Sequence, residues 1–567
     1  MTDIVPAMLS AVAADNSVMG GVLSGAQLVG AVLAPFVALS PLAIWLWSRR
    51  RVVRARQLKV DWQVEPEPGV VILNESKTTF DKLVLTVSCG TRGRTARTDI
   101  TLIQPNDPHH WASKQLHQLP VFANQRKETA RHDATHHETS LTFRDGKRYW
   151  SREGAMLKRV DELVIWAEKT RAATLSQYFG RRSQFRRAYA VGVSVEAFDR
   201  TESLESAFAQ LATTGRPPSG RRVPDVIAGP HDWIGRVVRD EAIQLPPLSR
   251  EGLGRMSPAA IDALSIDEDL HAIPYAFDSV ALIRNDALVG EGPMPVRFED
   301  VVRVGTDALA LAKVPDGRAV ALQVGSPDTD GNAGDPFHMW PLFTSLGGSF
   351  FGLRRKPADA SLDDEFDDPS LWRDGFVEAF VRLADLGGGP HGSGALEASL
   401  GRAEALPMFL DGRAPFLVCS SRALGSITAA GMQITVGAVP PVGELRAQPM
   451  VSVYGLYIYR DAPNLPAARD LLTTFLSEQK AGEELNKIQP LVPVQEAAMD
   501  SIARRDTILR PYVDACRSGL VMPSWGQMRE LWQLLGRAEH DVLAGDGDAR
   551  QIAEETADAG WEIISRF

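Results

Sequence analysis

Side chains that commonly bind metal ions are concentrated in two polar stretches of the sequence. Imidazole is a frequent zinc ligand, but structural zinc sites usually include cysteine pairs, and the first stretch, residues 109–137, contains no cysteine. The second stretch, Asp328–Asp335 (DTDGNAGD), has the composition of a calcium loop but lacks its spacing of glycine and glutamate. We interpret these stretches as solvated loop and polar turn, and we predict neither a metal nor a cofactor. The first stretch holds six of the eleven histidines: His109, His110, His117, His132, His136 and His137.

Residue patterns for covalent, hydride or phosphoryl chemistry are also missing. The sequence contains no GxSxG, HExxH or GxxxxGKS/T motif and no dinucleotide-binding βαβ fingerprint. Its three cysteines, Cys89, Cys419 and Cys516, are far apart and lack CxxC spacing, so they predict free thiols rather than a disulfide framework. The sequence therefore favours a binding protein over an enzyme.

Short apolar strands alternate with amphipathic helices over the C-terminal two-thirds of the chain. Leu163–Trp166 and Tyr189–Val195 have the composition of buried strands, and they flank a predicted helix. Further along, Asn464 precedes an apolar pattern of helical period and predicts a helix start. This alternation predicts an α/β fold large enough for two lobes.

Residues 60–158 instead predict a small β-rich domain. Their short strands are separated by turn residues, and Asp145-Gly146 between two β-rich runs is a strong hairpin signal. The predicted strands are Val70–Leu73, Leu83–Ser88, Thr98–Leu102, Thr139–Phe143 and Arg148–Trp150. The sequence thus predicts an all-β, sandwich-like domain before the α/β region.

An apolar segment near the N-terminus predicts a membrane anchor. No charged residue occurs from Asn16 to Ser48, and about 20 apolar residues suffice to cross a bilayer. We predict an N-terminal tail at 1–21, a transmembrane helix at 22–48 and a basic juxtamembrane segment at 49–59. These segments predict a single-pass protein of the cell membrane.

The charge distribution bears on the orientation in the membrane and on the partners. Six Lys and Arg residues follow the apolar segment before residue 60, and none precede it, so the positive-inside rule favours a cytoplasmic C-terminus. Residues 49–159 contain 21 Lys and Arg against 12 Asp and Glu, although the whole chain has a net charge of −10. The larger C-terminal region is therefore acidic, which argues against nucleic acid as a partner.

Six motifs occur in order along the α/β region, and they are Arg222–Asp232, Leu270–Asn285, Asp335–Leu342, Gly412–Leu417, Ile434–Pro441 and Met522–Trp532. Together, in their order and spacing, these motifs resemble the maltose-binding-protein family, the extracellular solute-binding proteins of ABC importers. The resemblance implies a two-lobed type II periplasmic-binding (Venus flytrap) fold for residues 159–567. It puts lobe one at about 160–277 and 440–508, and lobe two at about 281–435 and 512–567.

The resemblance also implies a set of ligand-binding residues. Carboxylates accept paired hydroxyl groups and aromatic rings stack on sugar C–H faces, as a carbohydrate cleft requires. The residues in matching or neighbouring motif positions are Asp232, Asp278, Asp335, Phe337, Trp340, Trp525 and Trp532. Helix capping or a surface loop is the alternative for each carboxylate, and the lobe core is the alternative for Trp340 and Trp532.

Three positions depart from the family pattern and bear on the charge of the ligand. Arg422 replaces a stacking tryptophan, Gly536 replaces a cationic residue, and Thr170 or Arg171 falls on an acidic contact. Arginines in a cleft would bind a carboxylate or phosphate through paired hydrogen bonds. We therefore add Arg422 to the ligand-binding residues and expect a carbohydrate or acidic sugar derivative rather than plain maltodextrin.

Three functions compete at this point. The first is membrane-anchored, non-catalytic binding of a small polar solute by lobe closure, with ABC-transporter permease subunits as partners. The second is a cytoplasm-facing sensor or scaffold that reuses the fold, in agreement with the charge rule. The third is a carbohydrate-active enzyme with two cleft carboxylates as acid and nucleophile. The first accounts for the carboxylates most simply, although an importer's receptor faces outward and the charge rule favours the opposite orientation.

Overall fold

The computed structural model describes residues 52–63, 69–89, 94–106, 108–111, 137–146, 148–153, 156–180, 183–244, 253–266, 269–325, 334–349, 369–476, 478–524 and 526–564. Its contacts divide the chain into two compact units. The first contains the residues up to Gly146 and Trp150–Lys158, and the second contains Lys147–Tyr149 and Arg159–Phe567. The predicted transmembrane helix at 22–48 lies outside the described residues. Within the described ranges, no helix combines the length and the apolar composition that a membrane crossing needs.

The first unit consists of two β-sheets that share an apolar core. Its strands are β1 (Leu58–Gln63), β2 (Gly69–Asn74), β3 (Phe80–Cys89), β4 (Arg94–Ile103), β5 (Pro108–Trp111), β6 (His137–Asp145), β7 (Arg148–Glu153) and β8 (Met156–Arg159). One sheet has the order β1-β2-β5 and the other β4-β3-β6-β7-β8. Leu58 and Ile72 of the first sheet belong to the same core as Phe80, Leu85 and Phe143 of the second. All five predicted strands are present, and the arrangement is sandwich-like.

The histidine-rich stretch is only partly described, and its described histidines lie on strands. His109 and His110 are on β5, and His137 begins β6, so the interpretation as loop residues is wrong for these three. The main chain of β5 pairs with β2, so this segment is a strand although its polar composition is typical of a loop. The other three histidines lie outside the described residues.

The second unit alternates strands and helices, as the sequence pattern predicts. Its strands are β9 (Glu162–Glu168), β10 (Gly192–Phe198), β11 (Val226–Pro230), β12 (Ile243–Gln244), β13 (Ser265–Ile266), β14 (Asp269–Leu270), β15 (Ile273–Asp278), β16 (Val280–Asn285), β17 (Val320–Leu322), β18 (Phe416–Ser420), β19 (Ile434–Gly437), β20 (Met450–Tyr459), β21 (Val492–Pro493) and β22 (Leu520–Val521). Its α-helices are α1 (Lys169–Tyr178), α2 (Gln184–Tyr189), α3 (Thr201–Thr214), α4 (Ile234–Arg239), α5 (Pro258–Ala263), α6 (Asp286–Val289), α7 (Phe298–Ala312), α8 (Pro336–Ser345), α9 (Pro369–Ala384), α10 (Arg402–Leu410), α11 (Leu424–Ala429), α12 (Leu465–Asp470), α13 (Gln479–Ile488), α14 (Glu496–Arg505), α15 (Arg510–Ser518), α16 (Met528–Ala544) and α17 (Ala549–Ile564). Short 3₁₀ turns occur at His231–Trp233 and Ser421–Ala423, and Leu471–Leu476 is a π-helix.

Two mixed sheets form the centres of two lobes. The lobe-one sheet has the order β10-β9-β11-β20-β15-β21, with β12 and β22 also paired to β20. The lobe-two sheet has the order β17-β18-β16-β19. Every residue of β15, β16 and β20 is buried, which is typical of strands covered on both faces. The region is therefore a two-lobed α/β fold, in agreement with the sequence.

Three chain passages connect the two sheets. β15 leads through Ser279 directly into β16, the chain returns between Gly437 and Met450, and it crosses again after Val521 towards α16. The Ser279 hydroxyl donates a hydrogen bond of 2.9 Å to the Met450 carbonyl and so ties the first two passages together. The third passage follows Val521 because β22 still pairs with β20 of lobe one.

Candidate functional site

Loops from both lobes meet at facing sheet edges next to the first passage. In lobe one, β9 and β11 run parallel, and β11 and β15 are both antiparallel to β20, so all three carboxyl ends share one edge. In lobe two, Ser420 at the end of β18 pairs with Val280, the first residue of β16. Ligands of α/β proteins bind outside such carboxyl ends. The residues that follow these strands are therefore the candidates for a binding site.

Asp278 connects an arginine of each lobe. Its Oδ2 atom lies 3.0 Å from Nε of Arg422, which follows β18 in lobe two. The same oxygen lies 3.8 Å from Nη2 of Arg171 on α1 in lobe one. The Asp278 carboxylate raises the pKa of Arg422 above its usual range, so this guanidinium is charged at every physiological pH. The result is an ion cluster that joins the two lobes, with Arg171 and Asp278 buried and Arg422 partly exposed.

Arg171 is held in one orientation by two tyrosines. Its guanidinium carbon lies 3.0 Å from the ring centroid of Tyr454, and Nη1 donates a 3.4 Å hydrogen bond to the Tyr275 hydroxyl. The residue is only 2% exposed. Among the described residues, its Nε and Nη2 atoms have no hydrogen-bond partner, and neither does Oδ1 of Asp278. Buried polar atoms without partners are costly, so a ligand that supplied partners to these three atoms would be favoured.

Asp232 and His231 form the corner after β11. Burial, assisted by the neighbouring Glu205 carboxylate, raises the pKa of Asp232 to about 7. His231 is fully buried, with Nε2 lying 2.6 Å from the Met522 carbonyl and Nδ1 accepting a 3.1 Å hydrogen bond from the Val453 amide. This pattern requires a neutral imidazole, and burial lowers its pKa to about 4. His231 therefore joins the corner that contains Asp232 to the third passage, through its contact with Met522.

Asp335 interacts with neighbours inside lobe two. Gln323 donates a hydrogen bond to its carboxylate, and Nδ1 of His338 lies 3.1 Å from the same oxygen. Burial alone would lower the pKa of His338, but the Asp335 carboxylate raises it to about 10. Asp335 thus stabilises a charged histidine at the start of α8, and a direct ligand contact by Asp335 stays a prediction.

The predicted aromatic residues differ in their exposure. Trp340 is 2% exposed and lies in the lobe-two core with Met339 and Phe343, because the buried side of α8 carries it inward. Phe337 and Trp532 are partly buried and pack against the same core from its margin. Trp525 lies outside the described residues. Phe337 and Trp532 are therefore better placed than Trp340 to contact a solute.

Gly536 lies against the segment that precedes Asp335. A Cβ atom at Gly334, which has a φ of +84°, would lie only 2.1 Å from the Gly536 carbonyl oxygen. The segment before Asp335 thus lies directly against the backbone of α16.

Potential metal ligands lie away from this edge. His540, Asp541 and Asp546, near the end of α16, are the group of three that the described ranges offer for a metal. Nothing in this group of three residues points to a bound ion.

Cys419 and Cys516 are free thiols, as predicted, and the side chain of Cys89 is outside the described set.

Sequence reasoning singled out Asp278, Arg422 and Arg171 but missed Tyr275 and Tyr454. Both tyrosines lie within buried strands, where only their hydroxyl groups distinguish them from core residues. Tyr454 pairs with Ala276 of β15 and Pro230 of β11, so it lies between the two strand ends that carry Asp278 and Asp232. The sequence signal that could have indicated them was a tyrosine, an aromatic ring with a polar hydroxyl, within an otherwise apolar strand.

Comparisons with known proteins give a consistent family assignment. Residues 181–507 match the family described as bacterial extracellular solute-binding protein. The chain is 23% identical over 355 residues to a maltotriose-binding protein of Pyrococcus abyssi (strain GE5 / Orsay), covering 61% of this chain and 70% of that protein. It is 19% identical over 410 residues to a galactooligosaccharide-binding protein of Bacillus subtilis (strain 168), covering 70% and 88% respectively.

Proposed function

This chain belongs to the family of bacterial extracellular solute-binding proteins, and from this premise we propose that it binds a small polar solute without changing it chemically. The solute is a carbohydrate or an acidic sugar derivative, and it binds between the two lobes. The cluster of Arg171, Asp278 and Arg422 carries the proposal, because Arg171 and Asp278 lie in lobe one and Arg422 lies in lobe two.

The carbohydrate class rests on the relatives and on the side chains at the facing edges. The relatives are named for maltotriose and galactooligosaccharide binding. In the part of the chain that is described, Oδ1 of Asp232 and Oδ1 of Asp278 are buried acceptors without partners, which suits sugar hydroxyl groups. Phe337 and Trp532 supply rings for stacking. Together with Arg422, these residues form the proposed contact set.

Lobe closure is the proposed mode of capture. Ser279 alone separates β15 from β16, and hinge rotations are usually absorbed by such short segments at element ends. A solute that contacts Arg171 on lobe one and Arg422 on lobe two would favour the closed arrangement. The solute would change the free-energy difference between the open and closed arrangements by the difference in its binding free energy for the two.

The proposed setting is the cell membrane, with residues 22–48 as anchor and ABC-transporter permease subunits as recipients of the solute. The second candidate, a cytoplasm-facing sensor or scaffold, rests on the six cations that follow residue 48. A phosphatase fused after Phe567 distinguishes the two, because it is active only outside the cytoplasm. Activity supports the importer receptor, and an inactive phosphatase with a bright fluorescent-protein fusion supports the sensor.

Thermal unfolding of the purified full chain tests solute binding itself. We would measure it with maltotriose, galactooligosaccharides, glucuronate and glucose 6-phosphate. A bound solute at a hundredfold excess over its Kd should add about 2.7 kcal/mol to the free energy of unfolding. No stabilisation by any of these compounds would contradict the proposed function.

A further inference from the structure

We propose that the site is built for a solute with an anionic group, a carboxylate or a phosphate, which Arg171 and Arg422 bind together. This inference rests on the proposed function, because it places that group in the same cleft. It narrows the solute from carbohydrates in general to acidic sugars or sugar phosphates.

The local charge balance is the first reason. Throughout the described ranges, Asp278 is the one carboxylate within 4.0 Å of either guanidinium. Arg171 is nearly fully buried, so water compensates its positive charge poorly, whereas the Arg422 side chain is 28% exposed. Buried charge is stable only when it is paired and hydrogen-bonded, and an anion supplies both.

The free edge of Arg171 is the second reason. The Tyr454 ring stacks on its guanidinium face, and the Tyr275 hydroxyl accepts a hydrogen bond from Nη1. The two nitrogens without partners, Nε and Nη2, form one edge of the planar guanidinium, and such an edge binds both oxygens of a carboxylate or two of a phosphate. The distance of 3.8 Å from Nη2 to Asp278 is too long for a hydrogen bond, so Asp278 leaves this edge open.

Glu168 is a second carboxylate that acts on Arg422. It raises the pKa of Arg422, after the larger effect of Asp278, but it forms no ion pair with either arginine. Its Oε1 atom accepts from the amide and the hydroxyl of Thr170, which holds this group at the start of α1, while its buried Oε2 atom has no hydrogen-bond partner among the described residues. Glu168 therefore lowers the positive potential at the arginines but forms no ion pair with the free edge of Arg171. The unpartnered Oδ1 of Asp278 remains for a hydroxyl group of the same solute.

Matched neutral and anionic sugars test the inference by calorimetric titration of the full chain. The pairs are glucose with glucuronate, galactose with galacturonate, and glucose with glucose 6-phosphate. We expect at least about tenfold tighter binding of one anionic member, and the uronate and phosphate arms identify which group it is. Arg422→Gln should remove this preference, whereas Arg303→Gln removes an exposed lobe-two charge on α7 and should leave it intact.

Arg171 needs a variant that keeps the buried charge. Arg171→Lys retains the charge but removes the two-nitrogen edge, and it should weaken anion binding at least about tenfold with a folded protein by circular dichroism. Saturable binding of neutral sugars without an anionic preference would overturn the inference and leave the proposed function intact. Equal losses for neutral and anionic members in Arg422→Gln would also overturn it, since the arginine would then only stabilise the fold. Absence of binding across the panel would overturn both.

Discussion

The Asp278 carboxylate lies 3.0 Å from the Arg422 guanidinium across the junction of the two sheets. Asp278 is the last residue of β15 in lobe one, and Arg422 follows β18 in lobe two. Asp278, a proposed ligand contact, thus also forms an ion pair with a residue of the other lobe. A solute that engages Arg422 must therefore rearrange or extend an existing contact between the lobes.

Replacing Asp278 by Asn should affect both affinity and stability. The variant removes the one carboxylate between two guanidiniums and should lower the free energy of unfolding by about 1–3 kcal/mol. It should also weaken sugar binding at least about tenfold, because a desolvated hydroxyl loses its charged acceptor. Denaturant titration and calorimetry measure the two effects. Asp300→Asn, at an exposed ion pair on α7, is the matched control and should change neither. An Asp278→Asn variant with wild-type affinity would remove Asp278 from the site.

Trp532 and Trp340 should respond differently to truncation. Trp532→Ala should weaken binding at least about tenfold, because we propose that its ring stacks on the solute. Trp340→Ala should instead cost about 3–5 kcal/mol of stability, because it empties a core position that is 2% exposed. Each variant is measured by calorimetry and by denaturant unfolding. Loss of affinity in Trp340→Ala, together with loss of stability alone in Trp532→Ala, would contradict the core position of Trp340 and the position of Trp532 at the margin of that core.

His231 should make stability depend on pH. Its folded-state pKa of about 4 lies below the ordinary value of 6.5, so the unfolded chain binds the proton more readily. The contribution of His231 is therefore complete above about pH 6.5 and is lost as pH falls towards 4, by up to about 3 kcal/mol. Denaturant unfolding of wild type and His231→Asn from pH 8 to 4.5 measures this. The wild type should be more stable at pH 8, and the gap should narrow with acid; a constant gap would mean that His231 does not titrate as described.

Gly334 should tolerate no side chain. Gly334→Ala adds a Cβ that would lie 2.1 Å from the Gly536 carbonyl oxygen, at a φ of +84° that disfavours L-residues. We expect a loss of more than about 1 kcal/mol in stability, with weaker binding if Asp335 shifts. Gly412→Ala is the matched control, since it also has a positive φ, of +71°, but has open space around the added atom. Equal losses in both variants would mean that the backbone angle, rather than the contact with α16, accounts for the effect.

The fold was largely predictable because its signals are local. Apolar runs such as Leu163–Trp166 indicated strands, and the ordered motifs indicated the two lobes and the first passage at Asp278. The sequence singled out the three residues of the ion cluster but not their contacts, since Arg171 and Arg422 are distant in sequence and meet Asp278 only through tertiary packing. Trp340 and Trp532 illustrate the same limit, because composition identifies a tryptophan but helix orientation determines whether its ring is buried.

Calorimetric titration of the wild-type full chain with the carbohydrate panel tests the central claim most directly. The account predicts saturable binding of one solute per chain, with the same compound recovered unchanged by NMR after prolonged incubation. Saturable binding to none of the neutral or acidic sugars would contradict it, and so would conversion of the bound sugar to a product.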